Sequence, residues 1–180
     1  DSGGAGLHRG GNGLSVAYRF LCDGDIGIHD ERWLTYPWGV LGGETGLRST
    51  KRLVRVDGSE QWLPAKAEGI KVKTGDMLYF NTWGGGGWGD PFARDPELVQ
   101  QDVNRRLVTV DGARRYGVVM ASDGSVDQDA TQTLRAELKA AAGEPALFNF
   151  GGDVEEIRAR CEAETHLPAP VKPTFIGASQ

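Results

Sequence analysis

The sequence is poor in the residues that usually announce chemistry. It has two cysteines, Cys22 and Cys161, far apart and outside any CxxC or CxxxH spacing. Neither a zinc knuckle nor a disulfide scaffold is indicated, and the cytosol is the default compartment. The histidines, His8, His29 and His166, are widely separated, so a metal set built from His8, His29 and a carboxylate such as Asp30 has no support in spacing. No stretch approaches the ~20 apolar residues of a membrane-spanning helix. The start, Asp1-Ser2-Gly3-Gly4, has neither the basic region nor the apolar run of a signal peptide. A Met at position 1 is also missing, which points to a processed product or a segment of a longer chain.

Positive charge is short as well. Lys and Arg number 20 against 25 Asp and Glu, a formal net charge of -5, and phosphate binding needs cations concentrated on one face. A nucleic-acid partner is therefore not expected. Arg105-Arg106 and Arg114-Arg115 read as solvated helix faces. Walker A, HExxH, GxSxG and complete GxGxxG patterns are all lacking, so ATP binding within this chain is not expected.

What is abundant is glycine: 27 of 180 residues, about twice the ordinary share of ~7%. Turns and close backbone approaches must be frequent. The length suits one domain with a small appendage. The glycine-rich opening leads into a strand at 14–22, and the turn signal Asp23-Gly24 into another at 25–29, which predicts a hairpin between them. Residues 33–43 read as an irregular, tightly packed loop. Strand character returns at 49–56, with Asp57-Gly58 as a hairpin turn, then at 61–63, 69–72 and 77–82. After the glycine run 84–87, Asp95-Pro96-Glu97 opens a helix whose apolar stripe is Leu98, Val99, Val103 and Leu107. A short helix at 111–116, an apolar strand at 116–121 and a helix capped by Asp127 or Asp129 running to about 142 follow. Residues 153–164 form a charged helix, and Pro168, Pro170 and Pro173 mark an extended docking tail. The fold class is α+β: an antiparallel β-rich N-terminal two-thirds, then helices and an extended C-terminal tail. Residues 1–143 and 144–180 are the two expected units.

Few residues stand out as site candidates. Gly84, Gly85, Gly86 and Gly87 could converge backbone N–H groups on an anion, or mark a tight crossing between the sheet and the following helix, with Trp83 and Trp88 beside it; no Lys, Ser or Thr completes a phosphate loop, which favours the crossing. Arg9, Arg32 and Arg94 sit beside glycine- or proline-rich turns, where a guanidinium could clamp a carboxylate or, more commonly, tie two loops together. Asp90 could serve as an acid or base, with capping of its turn the better reading.

Several motifs occur in an ordered set: Arg9-Gly10-Gly11-Asn12-Gly13, Pro37-Trp38-Gly39-Val40-Leu41-Gly42-Gly43, Lys73-Thr74-Gly75-Asp76 and Gly84-Gly85-Gly86-Gly87-Trp88-Gly89-Asp90-Pro91. Arg94-Asp95-Pro96-Glu97-Leu98-Val99, Asp102-Val103, Tyr116-Gly117-Val118-Val119 and Ala130-Thr131-Gln132-Thr133-Leu134-Arg135 complete it. Together, over about residues 3–138, they resemble the C-terminal part of hydantoinase B/oxoprolinase proteins. That resemblance implies a multi-component, ATP-dependent hydrolase of cyclic amides of the hydantoin, 5-oxoproline or lactam type. The chain would complete the B component and be inactive alone. Its implied partners are an A-type ATP-binding subunit, the remainder of the B-type subunit and a small-molecule substrate, with ATP/Mg and a divalent metal held elsewhere in the complex and no cofactor bound by this chain. Two alternatives stand beside it: a subunit of an ATP-dependent acetone- or acetophenone-type carboxylase, and a non-catalytic binding module. B-type proteins are several times longer and their metal ligands lie in the part absent here, so no metal ligand is carried over. Arg9, Gly10, Gly11, Arg32, Gly84 to Gly87, Asp90 and Arg94 are the candidate substrate or interface loops.

Overall fold

The structure, a computed structural model, describes residues 1–171. Seven strands come first: β1 Ser15–Arg19, β2 Gly24–His29, β3 Gly39–Val40, β4 Thr50–Val54, β5 Glu60–Trp62, β6 Lys66–Val72 and β7 Met77–Asn81. A 3-10 turn Pro91–Ala93, helix α1 Pro96–Asn104, a 3-10 turn Gly112–Tyr116 and helix α2 Gln128–Ala141 follow, then β8 Phe148–Asn149 and helix α3 Val154–Thr165. Antiparallel sheets followed by helices make the α+β class.

One sheet has the order β1-β7-β4-β5, and β2 pairs with β6 beside it. The period-2 alternation of β4 explains the layering: Lys51 and Leu53 point inward and are buried, while Thr50, Arg52 and Val54 point outward. Leu53 and Leu78 from the larger sheet meet Ile28 and Val72 from the smaller one in a shared apolar core with Leu63. The Asp57-Gly58 turn joins β4 to β5 as a hairpin, with Gly58 at φ 83° and Asp57 accepting from the Ser59 N–H at 2.9 Å.

The hairpin expected between the first two strands does not form. β1 pairs with β7, and β2 pairs with β6. The β1–β2 and β6–β7 connections both step from one sheet to the other at the same corner and bond to each other: Phe20 N–H to Asp76 O at 2.9 Å, Gly75 N–H to Phe20 O at 2.8 Å, Thr74 N–H to Asp23 Oδ1 at 2.8 Å. Two turns thus satisfy one another, and each of the four strands they join pairs within its own sheet.

α1 starts as expected, with Asp95 accepting from Glu97 N–H and Pro96 in the first turn. Val99 and Val103 face a second core with Ala5, Val108, Ala113, Tyr116 and Val118, whereas Leu98 lies outside the stripe and is exposed. No strand forms at 116–121. Gly117 takes a left-handed turn at φ 64°, and the following backbone bonds are made to Ala113, Thr131 and Asp127, with a single bridge between Met120 and Val126. The run is apolar because it is buried between helices. Asp127 caps α2 by accepting from Ala130 N–H.

The segment after 143 folds back onto the irregular loop at 33–48. β8 pairs with β3, and α3, which begins with an Asp153–Glu156 capping box, buries Cys161 and Thr165. Glu164 accepts from Tyr36 Oη at 2.7 Å and Arg48 Nε at 2.6 Å. Ala169 in the proline-rich stretch is buried and donates to Glu162; Pro173 lies outside the described residues. Among the described residues no helix is long and apolar enough to cross a membrane.

Candidate functional site

Three glycine-bearing segments, residues 2–11, 37–47 and 84–89, cross one another with almost no side chain between them. Gly4 N–H donates to Gly85 O at 2.8 Å, Gly85 N–H to Gly11 O at 2.8 Å, Gly84 N–H to Leu47 O at 3.1 Å and Gly87 N–H to Glu44 O at 2.8 Å. Glu44 N–H in turn donates to Ala5 O at 2.7 Å, and His8 and Trp88 exchange both of their backbone bonds. A Cβ at Gly84 would fall on the carbonyl of Ser2, one at Gly86 on that of Trp38, one at Gly87 on that of Ala5, and one at Gly10 on that of Gly85. Gly11 faces open space.

The run is therefore a backbone crossing. It joins loops to one another, where the sequence suggested a sheet and the following helix. Its Gly84, Gly85 and Gly87 N–H groups are committed to carbonyls, so it does not fit a nucleotide phosphate. Trp83 and Trp88 lie at its margin, partly exposed, with the Trp88 ring 5.3 Å from that of His8.

At one end of the crossing, Arg9 and Arg94 meet on a residue that sequence reasoning did not select as a site. Asp102 of α1 accepts from Arg94 Nη2 at 2.8 Å and from Arg9 Nε at 3.3 Å. Arg9 also donates to Gly10 O at 2.7 Å, and Arg94 to Leu7 O at 2.9 Å. Both guanidiniums thus tie loops together. The available signal was an aspartate three positions after Val99, on the buried face of α1. Arg115, expected in a solvated face, instead bonds Glu44 at 2.7 Å and the carbonyls of Asp1 and Gly3; Arg105, Arg106 and Arg114 are exposed.

At the other end Asp90 caps the 3-10 turn by accepting from Phe92 N–H at 2.8 Å. It also borders a cleft of about 660 Å³ whose walls include Glu44, Phe92, Lys139, Phe148 and Phe150. Arg32 does not reach this cleft; at φ 55° it lays its guanidinium 4.9 Å from the Trp38 ring, and Trp38 packs edge-on against Phe148 and Phe150. The cleft offers aromatic walls with one ammonium and two carboxylates, a setting for an apolar ring carrying polar groups.

A second polar cluster was not singled out from sequence as a unit. Asp30 accepts from Lys51 Nζ and Ser49 Oγ, all three buried between the sheets, and Lys51 lies 5.2 Å from the Phe80 ring. Burial pushes the Lys51 ammonium below its ordinary range, while Asp30 pulls it back up. A lysine in phase with Leu53 on the inward row of β4 was the legible signal. The metal set considered from sequence is not assembled: His8 stacks on Trp88, His29 pairs with Glu68, and Asp30 is taken by Lys51. Among the described residues no three His, Cys, Asp or Glu side chains are placed to hold a metal ion. Neither these histidines nor the glycine run forms a metal or phosphate site, and no chemical step is assigned through either group.

The sequence profile of the hydantoinase B/oxoprolinase family matches residues 1–91. Caprolactamase subunit beta of Pseudomonas jessenii is 36% identical over 143 residues, covering 76% of this chain and 24% of that protein. 5-Oxoprolinase 1 of Arabidopsis thaliana is 38% identical over 89 residues, 49% of this chain and 7% of its own length. The crystal structure of the ATP-dependent caprolactamase from Pseudomonas jessenii superimposes with a TM-score of 0.63 at 32% identity, over 76% of this chain and 24% of that one. The chain thus spans about a quarter or less of these relatives.

Proposed function

Because the chain belongs to the hydantoinase B/oxoprolinase family, we propose that it is the C-terminal-type portion of the B component of a multi-component ATP-dependent hydrolase acting on a cyclic amide of the hydantoin, 5-oxoproline or lactam type. The observation that carries this reading is the combination of 36% identity to a caprolactamase subunit beta with coverage of only 24% of that subunit. The site is consistent with a part: its arginines and aspartates hold loops in place, and its glycines hold backbones together. In this reading ATP and its magnesium bind an A-type subunit, and a divalent metal binds in the remainder of the B component. This chain supplies rigid loops and the cleft bordered by Asp90.

Native mass spectrometry of the complex recovered with this chain, followed by assay of cyclic-amide-dependent ATP hydrolysis with and without it, tests the proposal. Co-recovered A- and B-type polypeptides, and turnover that needs the chain, are the expected results. Full turnover without it overturns the reading. Incorporation of labelled bicarbonate with no ring opening would move the assignment to a ketone carboxylase, and a lone 19.4 kDa species to a binding module.

A further inference from the structure

The two edges of the four-stranded sheet are built differently. The β5 edge is three residues long and carries Glu60, whose carboxylate is held by Arg52 at 3.0 Å. Shortness and charge are what keep an edge from recruiting another strand. The β1 edge, Ser-Val-Ala-Tyr-Arg, is five residues long, runs in unbroken register with β7, contains no proline, and has no charge before Arg19. An edge strand leaves half its peptide N–H and C=O groups without a sheet partner.

The apolar core also runs out to this edge. Tyr18 lies opposite Leu78, which lies opposite Leu53, so the three share one row. Exposure climbs along that row from 0% at Leu53 to 9% at Leu78 and 51% at Tyr18. Leu14 and Leu21, just beyond the two ends of β1, are 68% and 83% exposed. On the opposite face the edge presents only Ser15, Ala17 and Arg19, the first two small enough for close approach of another backbone.

We infer that β1 is the seat of a β-strand supplied by the remainder of the B-type polypeptide, added to the sheet as a fifth strand. This rests on the B-component reading above. The matched caprolactamase subunit is about four times the length covered here, so the same fold there adjoins three-quarters of a polypeptide that this chain does not contain. The β1 edge lies inside the family-matched region, residues 1–91. The added strand carries apolar side chains against Val16 and Tyr18 and a polar or acidic one against Arg19. Backbone bonds supply its affinity, and the alternating side chains set its register.

The test uses this chain alone and assembled with the A-type and remaining B-type polypeptides of the same source. Hydrogen–deuterium exchange of residues 15–19 should slow at least tenfold on assembly. Tyr18→Glu and Ala17→Pro should each weaken assembly at least tenfold. Circular dichroism of the variants alone separates this from misfolding, and Tyr18→Glu, on an already half-exposed side chain, keeps the test open if Ala17→Pro does not fold. Unchanged exchange at 15–19 in an active complex overturns the inference and leaves the B-component reading intact. Protection of 15–19 by a second copy of this chain assigns the edge to self-association and overturns it too. Absence of any complex defeats the B-component reading, and the inference with it.

Discussion

The glycine crossing and the β-sandwich are both tightly packed, but by opposite means. In the sandwich, side chains fill the space: Leu53, Leu63, Val72 and Leu78 meet between two sheets, and removal of any one leaves a cavity that neighbours can partly collapse into. In the crossing, backbones fill the space, and the carbonyls of Ser2, Ala5 and Trp38 stand where a Cβ would go. Peptide planes cannot rotate away without breaking their own hydrogen bonds, so the crossing has less room to relax. A glycine run that reads like a ligand loop is here as unforgiving as an apolar core.

Gly84→Ala is the sharpest way to break this comparison. Its Cβ collides with a carbonyl that cannot retreat, and a loss above about 4 kcal/mol, or failure to fold, is expected in urea unfolding. A loss below about 1 kcal/mol would show that the crossing relaxes as readily as a side-chain core. Leu53→Ala, the sandwich counterpart, should cost about 3 kcal/mol in the same measurement.

Asp102→Ala tests whether the arginine ties to α1 matter to the crossing. It leaves the mostly buried Arg9 and Arg94 without their shared carboxylate, and a loss of about 2 kcal/mol is expected, below the ~3–5 for a fully buried pair because both guanidiniums retain some solvent. A neutral result would reduce the pair to decoration.

Asp76→Asn sharpens the sandwich side through pH. The Lys73 backbone N–H holds the Asp76 carboxyl below its ordinary range, with Arg55 and the Val56 N–H adding to it against the opposing effect of burial. A carboxyl lowered by folding contributes stability that is complete above its unfolded value near about 4 and is lost as pH falls through its folded value. The stability gap between parent and Asp76→Asn should be constant above about pH 5 and shrink below about pH 4. A gap that persists unchanged into that acid range would remove the carboxylate from the explanation. The smallest effect belongs to Gly11→Ala. Gly11 sits beside Gly10 in the same motif but faces open space at an ordinary φ, so a change within about 0.5 kcal/mol is expected. A large loss there would show that the motif, rather than the local clearance, sets the cost.

Local signals were legible wherever the physics is local. Asp95-Pro96 and Asp153 through Glu156 start helices because their side chains reach N–H groups two or three residues on. Asp57-Gly58 closes a hairpin because Gly58 accepts a positive φ. The Asp23-Gly24 turn looks equivalent in sequence yet joins two sheets, since the partner of its Asp23 carboxylate is Thr74, far along the chain. The apolar run at 116–121 failed as a strand for a related reason: burial between helices selects the same residues as burial in a sheet. The arginines at 9 and 94 were legible as loop ties, while their shared partner Asp102 and the Asp30–Ser49–Lys51 cluster were not, because charge on a buried phase does not name its counter-charge.

By itself the sequence determined the α+β order, the caps and, through its ordered motifs, the family. These depend on contacts within a few residues or on a pattern repeated along the chain. Strand pairing, the role of each glycine, the common partner of Arg9 and Arg94, and the open edge at β1 were decided only by tertiary structure. Each depends on which distant backbone or charge comes to lie beside a residue, and that is set by how the whole chain buries its apolar surface.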